Sequence, residues 1–155
     1  MRTTPEQHVL LLIEYRKGRP IKEPVHVEAL GGKQFRLLYS PGFVQGLAAG
    51  DVFRLLNEDG DFVVLSRAGN LAVQVFHTDP IGPIQAELTR RVEQLGGVLD
   101  GGIERGLVFT LPLQAGFPAI ETLFNRLVEE YPGLEWYYGN VYDRNDGVTP
   151  LNWWQ

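Results

Sequence analysis

Two segments in the C-terminal half repeat apolar residues at helical spacing, and they constrain the fold more than any other feature. In the first segment, apolar residues recur three or four positions apart: Ile81, Ile84, Leu88, Val92 and Leu95. A similar face is formed in the second by Phe117, Ile120, Phe124, Leu127, Val128 and Tyr131. Such stripes are typical of amphipathic helices that cover a sheet. We predict helices near residues 80–95, starting at Asp79-Pro80 and ending at Gly96-Gly97, and near residues 117–131.

Strand-like runs alternate with these two predicted helices. Four runs have the length and apolar content of strands: 71–77, 98–104, 107–113 and 134–142. We interpret Arg105-Gly106, between the second and third runs, as a two-residue hairpin turn. The order strand, helix, strand, strand, helix, strand is that of the ferredoxin-like fold. In that fold the helices cover one sheet face, yet the strands are apolar on both faces, so the N-terminal unit or a partner is expected to cover the other.

The first 69 residues are typical of short strands separated by turns: 8–15, 24–30, 34–40, 51–57 and 62–67. The glycine-rich segment 41–51 is expected to form a short helical turn. Gly50 and Gly60 are expected to adopt a backbone conformation that a Cβ would resist. The sequence thus predicts an α+β protein in three parts. These are an antiparallel β-barrel-like unit (1–69), a ferredoxin-like α+β unit (70–143), and a C-terminal tail (144–155) packed on the body.

The absence of cysteine excludes several kinds of chemistry at once. Disulfides, thiolate nucleophiles, cysteine-ligated zinc and iron–sulfur clusters all need a residue that the sequence lacks. The N-terminal residues lack the apolar region and cleavage site of a signal peptide. No run approaches the roughly 20 apolar residues of a membrane span. We therefore expect a cytoplasmic protein that does not bind membranes.

Candidate catalytic and metal-ligating residues are few and scattered. Three histidines lie on separate predicted strands without the close spacing of metal ligands: His8, His26 and His77. Ser40 and Ser66 lie outside any Gly-x-Ser-x-Gly motif. Asp100 and Glu104 are four residues apart on one predicted strand, an arrangement that suits a carboxylate pair, although the solvent side of an edge strand is the simpler interpretation. We predict that the protein is not an enzyme and has no catalytic site, metal site or cofactor.

Acidic and aromatic residues concentrate in the C-terminal half. Residues 1–70 hold 9 basic and 8 acidic groups, a net charge of +1, whereas residues 71–155 hold 5 and 11, a net charge of −6. Such a surface repels phosphate backbones, so nucleic acid is a poor partner and a basic protein is a better one. Aromatic rings supply contact area and carboxylates steer a partner, although core packing would also account for most of these rings. The predicted partner-binding residues are Glu129, Glu130, Glu135, Tyr137 and Asp143.

A set of glycine, proline and apolar positions resembles an uncharacterised bacterial family of small cytoplasmic proteins with a domain of unknown function. The positions include Phe35-Arg36-Leu37, Pro41-Gly42-Phe43, Gly46 to Val52, Asp59-Gly60, Ser66 to Asn70, Leu95-Gly96-Gly97 and Trp136-Tyr137-Tyr138. The resemblance covers about residues 20–143 and implies a fold rather than a chemistry. In size, acidity and lack of catalytic residues the chain also resembles immunity proteins, which neutralise secreted bacterial toxins.

Two hypotheses of function follow. In the first, the protein is a cytoplasmic immunity protein that binds and neutralises a secreted bacterial toxin, for example a nuclease effector. In the second, it is a small-ligand-binding regulatory domain that acts as a homodimer, because ferredoxin-like domains with an apolar open face can bind metabolites between subunits. The first predicts an exposed acidic patch, and the second predicts a pocket.

Overall fold

The computed structural model describes residues 7–155, and its N-terminal part is an antiparallel sheet of five strands in sequential order. The strands are β1 (Gln7–Arg16), β2 (Arg19–Gly31), β3 (Gln34–Leu37), β4 (Val52–Leu55) and β5 (Phe62–Ser66). Gly31 pairs with Gln34, which places the β2–β3 turn where the sequence predicts it. The N–H of Leu12 in β1 donates to the carbonyl of Gly60 at 2.9 Å, so the first strand also contacts the turn before the last one.

The C-terminal part is an antiparallel four-stranded sheet with two helices. Its elements are β6 (Asn70–His77), α1 (Gly82–Gln94), β7 (Val98–Ile103), β8 (Gly106–Pro112), α2 (Phe117–Glu130) and β9 (Leu134–Tyr138), with a short 3-10 helix (Leu113–Ala115) before α2. The strands lie in the order β7-β8-β6-β9. The α+β class and both predicted helices are therefore confirmed. Within residues 7–155, no helix is long and apolar enough to cross a membrane.

Both helices pack on one face of this second sheet through the stripes that the sequence shows. The buried residues of the two helices, with Ile81 just before α1, are Ile81, Leu88, Val92, Ile120, Phe124 and Leu127. From the sheet, alternate residues of β6 and β8 complete the cluster: Leu71, Val73, Val75, Leu107, Phe109 and Leu111. Because side chains alternate along a strand, the residues between these point to the opposite face.

The loop that connects β3 to β4 covers part of the opposite face, and it does so with hydrogen bonds. The side-chain amide of Gln74 in β6 donates to the carbonyl of Pro41 at 3.1 Å. The side-chain amide of Gln45 donates to the side-chain oxygen of Gln74 at 2.6 Å, and the N–H of Gly46 donates to the carbonyl of Gly139 at 2.7 Å. From the sequence, either the N-terminal unit or a partner is expected to cover this face. In the structure, the N-terminal unit covers part of it.

Two buried polar side chains hold the backbone on either side of this junction between the sheets. Asn140 is fully buried; it accepts a hydrogen bond from the N–H of Ala72 at 3.0 Å and donates to the carbonyl of Asn70 at 2.9 Å. Asp51 accepts from two backbone amides at 3.0 Å and lies 3.3 Å from Arg67. Burial raises the pKa of the Asp51 carboxyl. The hydrogen bonds from these amides and the charge of Arg67 offset part of that rise.

The C-terminal tail contacts both parts of the structure. The indole N–H of Trp153 donates to the carbonyl of Asn140 at 2.8 Å, and the guanidinium of Arg67 lies 5.5 Å from the centre of the Trp153 ring. The ring of Trp154 packs edge-on against Phe117 of α2 at 5.3 Å between centroids. These contacts keep two large apolar side chains partly out of water.

Three local predictions are wrong. Helix α1 begins at Gly82 rather than at Asp79-Pro80, and no side chain caps it. The β7–β8 hairpin turns at Glu104-Arg105, because Ile103 pairs with Gly106. Residues 41–51 contain no helical turn. Their amides and carbonyls are bound instead by side chains from other elements, so a local helical hydrogen-bond pattern is not required.

The predicted backbone conformation of two glycines is confirmed. Gly50 has φ +89° and Gly60 has φ +88°, a region that favours glycine. A Cβ on Gly60 would lie 2.7 Å from the carbonyl oxygen of Leu10, and a Cβ on Gly50 would lie 2.6 Å from the Cβ of Ala68. Both positions therefore exclude a side chain by conformation and by space.

Candidate binding site between the two sheets

A cleft of about 480 Å³, the central cleft, lies between the two sheets. Its walls are residues 23–26 of β2, the loop 39–43, Phe76 of β6, and the β7–β8 hairpin through residues 100–103 and 106–108. Three glycines of the hairpin, Gly101, Gly102 and Gly106, contribute to that wall without a side chain. A volume of this size lies within the roughly 300–1,000 Å³ of small-ligand sites.

Asp100 is the main charged group on the hairpin side of the central cleft. It is the extra residue of a β-bulge, since Leu99 pairs with Phe109 and Gly101 pairs with Val108. Its Oδ2 accepts from the N–H of Ser40 at 2.7 Å and from the Thr110 hydroxyl. Burial raises the pKa of the Asp100 carboxyl, because the ionised form loses hydration that these hydrogen bonds only partly replace.

Glu23 of β2 holds the loop on the other side of the cleft. Its carboxylate accepts from three consecutive backbone amides, Gly42 at 2.8 Å, Phe43 at 3.0 Å and Val44 at 2.9 Å. Three donors on one carboxylate fix the path of the loop without any regular secondary structure. The position of the Phe43 ring therefore depends on a residue in β2.

The ring of Phe43 separates the central cleft from a second depression of about 620 Å³, the aromatic groove. Phe43 stacks on Phe76 with 5.9 Å between ring centroids, and Phe76 lies 6.3 Å from Tyr137. The groove continues along Trp136, Tyr138, Tyr142, Asp143 and Arg144. Three of its rings are largely exposed: Phe43 (41%), Tyr137 (51%) and Tyr142 (40%).

The structure brings together three of the five predicted partner-binding residues. Tyr137 and Asp143 line the aromatic groove, and the hydroxyl of Tyr137 donates to Glu135 at 2.7 Å. Glu129 and Glu130 instead lie at the end of α2, on the helix-covered side of the sheet. Glu130 is paired with Arg91 of α1 at 2.5 Å, and this pair lowers the pKa of Glu130.

The other residues that the sequence analysis considered fall in different places. The rings of His8 and His26 are neighbours on β1 and β2, 4.1 Å apart. In the described part of the chain, no group of three histidine, aspartate or glutamate side chains could hold a metal ion. Asp100 and Glu104 do not share a strand face, because of the bulge and because Glu104 lies in the turn. The solvent-facing interpretation is also wrong for Asp100, whose carboxylate contacts buried Ser40 and Thr110.

The sequence did not predict the central cleft, although Ser40 and Asp100 were among the residues considered for other roles. Ser40 is 60 residues from Asp100 and 70 from Thr110, and it meets them because the β3–β4 loop packs against the second sheet. Glu23 carries no motif. One sequence feature does point to this cleft. In Pro41-Gly42-Phe43 an aromatic residue follows a proline-glycine pair and lies outside the predicted strands.

Most of the chain matches one protein family. Residues 23–133 match the domain of unknown function DUF4265, and the chain belongs to this family. That range includes every residue of the central cleft, whereas much of the aromatic groove lies beyond it.

Comparison of structures gives one further likeness. The chain resembles the crystal structure of a hypothetical protein from Neisseria gonorrhoeae, with a TM-score of 0.65 and 17% identity, over 90% of this chain and 96% of that one. At this identity the likeness shows the fold alone. No curated protein matches the sequence.

Proposed function

We propose that the protein is a non-catalytic binding module that recognises a basic protein through the aromatic groove. The observation that carries this proposal is a continuous row of rings, in which exposed Phe43 and Tyr137 both contact Phe76. The carboxylates of Glu135 and Asp143 lie beside this row. Rigid aromatic anchors with an acidic rim supply the contact energy and the steering that protein interfaces use.

In this proposal the partner is a secreted bacterial toxin such as a nuclease effector, and the protein is an immunity protein that acts in the cytoplasm. A nuclease needs a cationic surface to bind phosphate backbones. The net charge of −5, concentrated in the C-terminal half, complements such a surface. Neutralisation by occlusion needs no catalytic group, which is in keeping with the lack of a catalytic motif in the sequence.

The proposal gives different roles to the five predicted residues. Tyr137 is an anchor, so Tyr137→Ala should speed dissociation by about tenfold or more. The carboxylates of Glu135 and Asp143 attract the basic partner at short range. Glu129 and Glu130 lie on the helix side, so their reversal to lysine should slow association less than Glu135→Lys does, and only at low salt.

The test begins with affinity capture on the purified full chain, followed by rate measurements on the purified pair across a salt series. Tyr15→Ala is a matched control, because Tyr15 is 53% exposed, close to the value for Tyr137, and lines neither cleft nor groove. Tyr15→Ala should leave both rates unchanged. Wild-type rates in both Tyr137→Ala and Glu135→Lys would show that the groove is not the interface.

A second candidate function is that of a small-ligand-binding regulatory domain acting as a homodimer. The central cleft favours it, because its volume suits a small molecule. Native mass spectrometry of the purified protein tests it directly. A dimer that carries a bound small molecule supports this function, and a monomer without one argues against it.

We also propose the finer description of the fold. The strand order β7-β8-β6-β9, with a helix after β6 and after β8, supports a ferredoxin-like unit over residues 70–143. The contact from Leu12 to Gly60 supports a barrel-like unit over residues 1–69, of which the structure describes 7–69. Residues 144–155 form the tail. Limited proteolysis tests the division: cleavage near residues 68–70 without loss of either sheet would support it.

A further inference from the structure

Two carboxylates line the central cleft, those of Glu23 and Asp100. His26 lines it as well, and none of the described lining residues is a lysine or an arginine. Both Glu23 oxygens accept hydrogen bonds from backbone amides of the loop. Asp100 is therefore the carboxylate whose charge is least compensated.

Hydrogen bonds hold the Asp100 carboxylate in one orientation in the wall of the cleft. Its Oδ2 accepts from the Ser40 N–H and the Thr110 hydroxyl, and the Ser40 side chain also bonds to the carboxylate. A carboxylate offers about four lone-pair sites, so it can accept a further donor from a ligand in the cleft.

The remaining walls are apolar or aromatic. Ile103, Leu107 and Val108 line the hairpin side, and the rings of Tyr39, Phe43 and Phe76 line the others. Apolar walls accommodate the methylene stem of a long side chain or amine, and aromatic rings attract a cation. A half-buried carboxylate among rings and aliphatic groups is complementary to a cation on an apolar stem.

We propose that the central cleft binds an organic cation, a guanidinium or ammonium group on an alkyl stem, with the Asp100 carboxylate as its acceptor. The same chemistry is offered by an arginine or lysine side chain of a polypeptide and by a free small amine. This site is separate from the aromatic groove and does not depend on the proposed partner protein.

The experiment uses ¹⁵N-labelled full-length protein and two probes. One is n-butylguanidinium, and the other is the end-capped peptide Gly-Gly-Arg-Gly-Gly. The Ser40 amide reports binding, because it donates to Asp100. Both cations should shift it saturably, while n-butylurea and the matching citrulline peptide, which are neutral, should bind at least about tenfold more weakly. A peptide at least about tenfold tighter than n-butylguanidinium assigns the site to a polypeptide, and any smaller difference assigns it to a free small cation.

Variants separate this site from the rest of the surface. Asp100→Asn should weaken n-butylguanidinium binding by about tenfold or more, whereas Glu104→Gln, which removes a charge from the same hairpin, should not. Gly101→Val keeps the carboxylate but narrows the cleft, and a Cβ there would meet only Val108, at 3.9 Å. It should weaken binding too, and it provides the test if Asp100→Asn does not fold. Tyr137→Ala should leave binding unchanged.

Three results would overturn the proposal. The first is the absence of a saturable shift with either cation. The second is equal binding of the cations and their neutral counterparts. The third is wild-type affinity in Asp100→Asn and in Gly101→Val. None of these results bears on the aromatic groove, and a failure of Tyr137→Ala to weaken a protein partner would not bear on the central cleft.

Discussion

The two faces of the second sheet are held by different kinds of interaction. On the helix-covered face, buried side chains such as Phe109, Phe124 and Leu127 are apolar, and their contacts have no fixed direction. On the opposite face, the Gln74 side chain binds the loop through hydrogen bonds of defined geometry, to the carbonyl of Pro41 at 3.1 Å and to Gln45 at 2.6 Å. The first face contributes apolar burial, and the second helps to fix where the β3–β4 loop lies and hence one wall of the central cleft.

The difference has an energetic basis. Each fully buried large apolar side chain contributes about 1.5–3 kcal/mol through burial alone. A satisfied hydrogen bond contributes only about 1 kcal/mol net, but leaving a buried partner unsatisfied costs about 1–3 kcal/mol. The polar face thus adds modest stability and strongly disfavours any other placement of the loop.

The largest effect is expected from a truncation on the helix-covered face. Phe124 is fully buried and lies 6.1 Å from Phe109 and 5.4 Å from Trp136 between ring centroids. Phe124→Ala should lower the free energy of unfolding by about 3–5 kcal/mol, because it removes buried area and leaves a cavity. Urea denaturation measures this, with Phe43→Ala, an exposed ring, as a control that should cost far less. If Phe124→Ala lowered the free energy of unfolding by less than the polar variants below, apolar burial would not be the stronger of the two contributions.

The next effect comes from a buried polar side chain just after β9. Asn140→Ala leaves the N–H of Ala72 and the carbonyl of Asn70 in β6 without their partner, which should cost about 2 kcal/mol. Asn145→Ala, an exposed change in the following segment, should cost less than about 0.5 kcal/mol. Equal urea midpoints for the two variants would mean that the attachment of this segment to β6 does not depend on the Asn140 amide.

A third substitution tests whether the junction depends on backbone geometry as well as on side chains. Gly50→Ala should cost about 2 kcal/mol, because the residue has φ +89° and a Cβ would lie 2.6 Å from Ala68. Gly18→Ala is the matched control: its φ is +76° but no atom lies within 4 Å of the added Cβ, so it should cost only about 1 kcal/mol. Thermal unfolding compares them, and equal losses would show that the space around Gly50 relaxes freely.

The smallest effect concerns the pH dependence of Asp100. Because its pKa is raised in the folded state, the folded chain binds this proton more tightly than the unfolded chain. Its contribution to stability is therefore full at acid pH and is lost as the pH rises from the ordinary carboxyl pKa through the folded one. Asn cannot ionise, so the Tm of Asp100→Asn relative to wild type should rise between about pH 3.5 and pH 7 by a few degrees at most. A difference in Tm that stays constant over this range would contradict the raised pKa of Asp100.

Sequence patterns predicted the helix-covered face well and the polar face poorly, for a physical reason. The stripes predicted helices over 80–95 and 117–131, and the helices are Gly82–Gln94 and Phe117–Glu130. Apolar periodicity is local, so it can be seen in a single sequence. Gln74 and Asn140 instead contact groups about 30 to 70 residues away, and no local pattern encodes such a contact. Asp100 was misplaced because a bulge breaks the alternation on which the prediction depended.

The bulge in β7 has a consequence for how relatives of this chain can diverge. Asp100 is the one residue in excess between Leu99 and Gly101. Loss of a single codon there would restore ordinary pairing along the hairpin and remove the carboxylate from the cleft, with the helices and their apolar cluster untouched. A change in strand length by one residue would thus change the chemistry of the central cleft, so a comparison of relatives should look for deletions at this position as well as for substitutions.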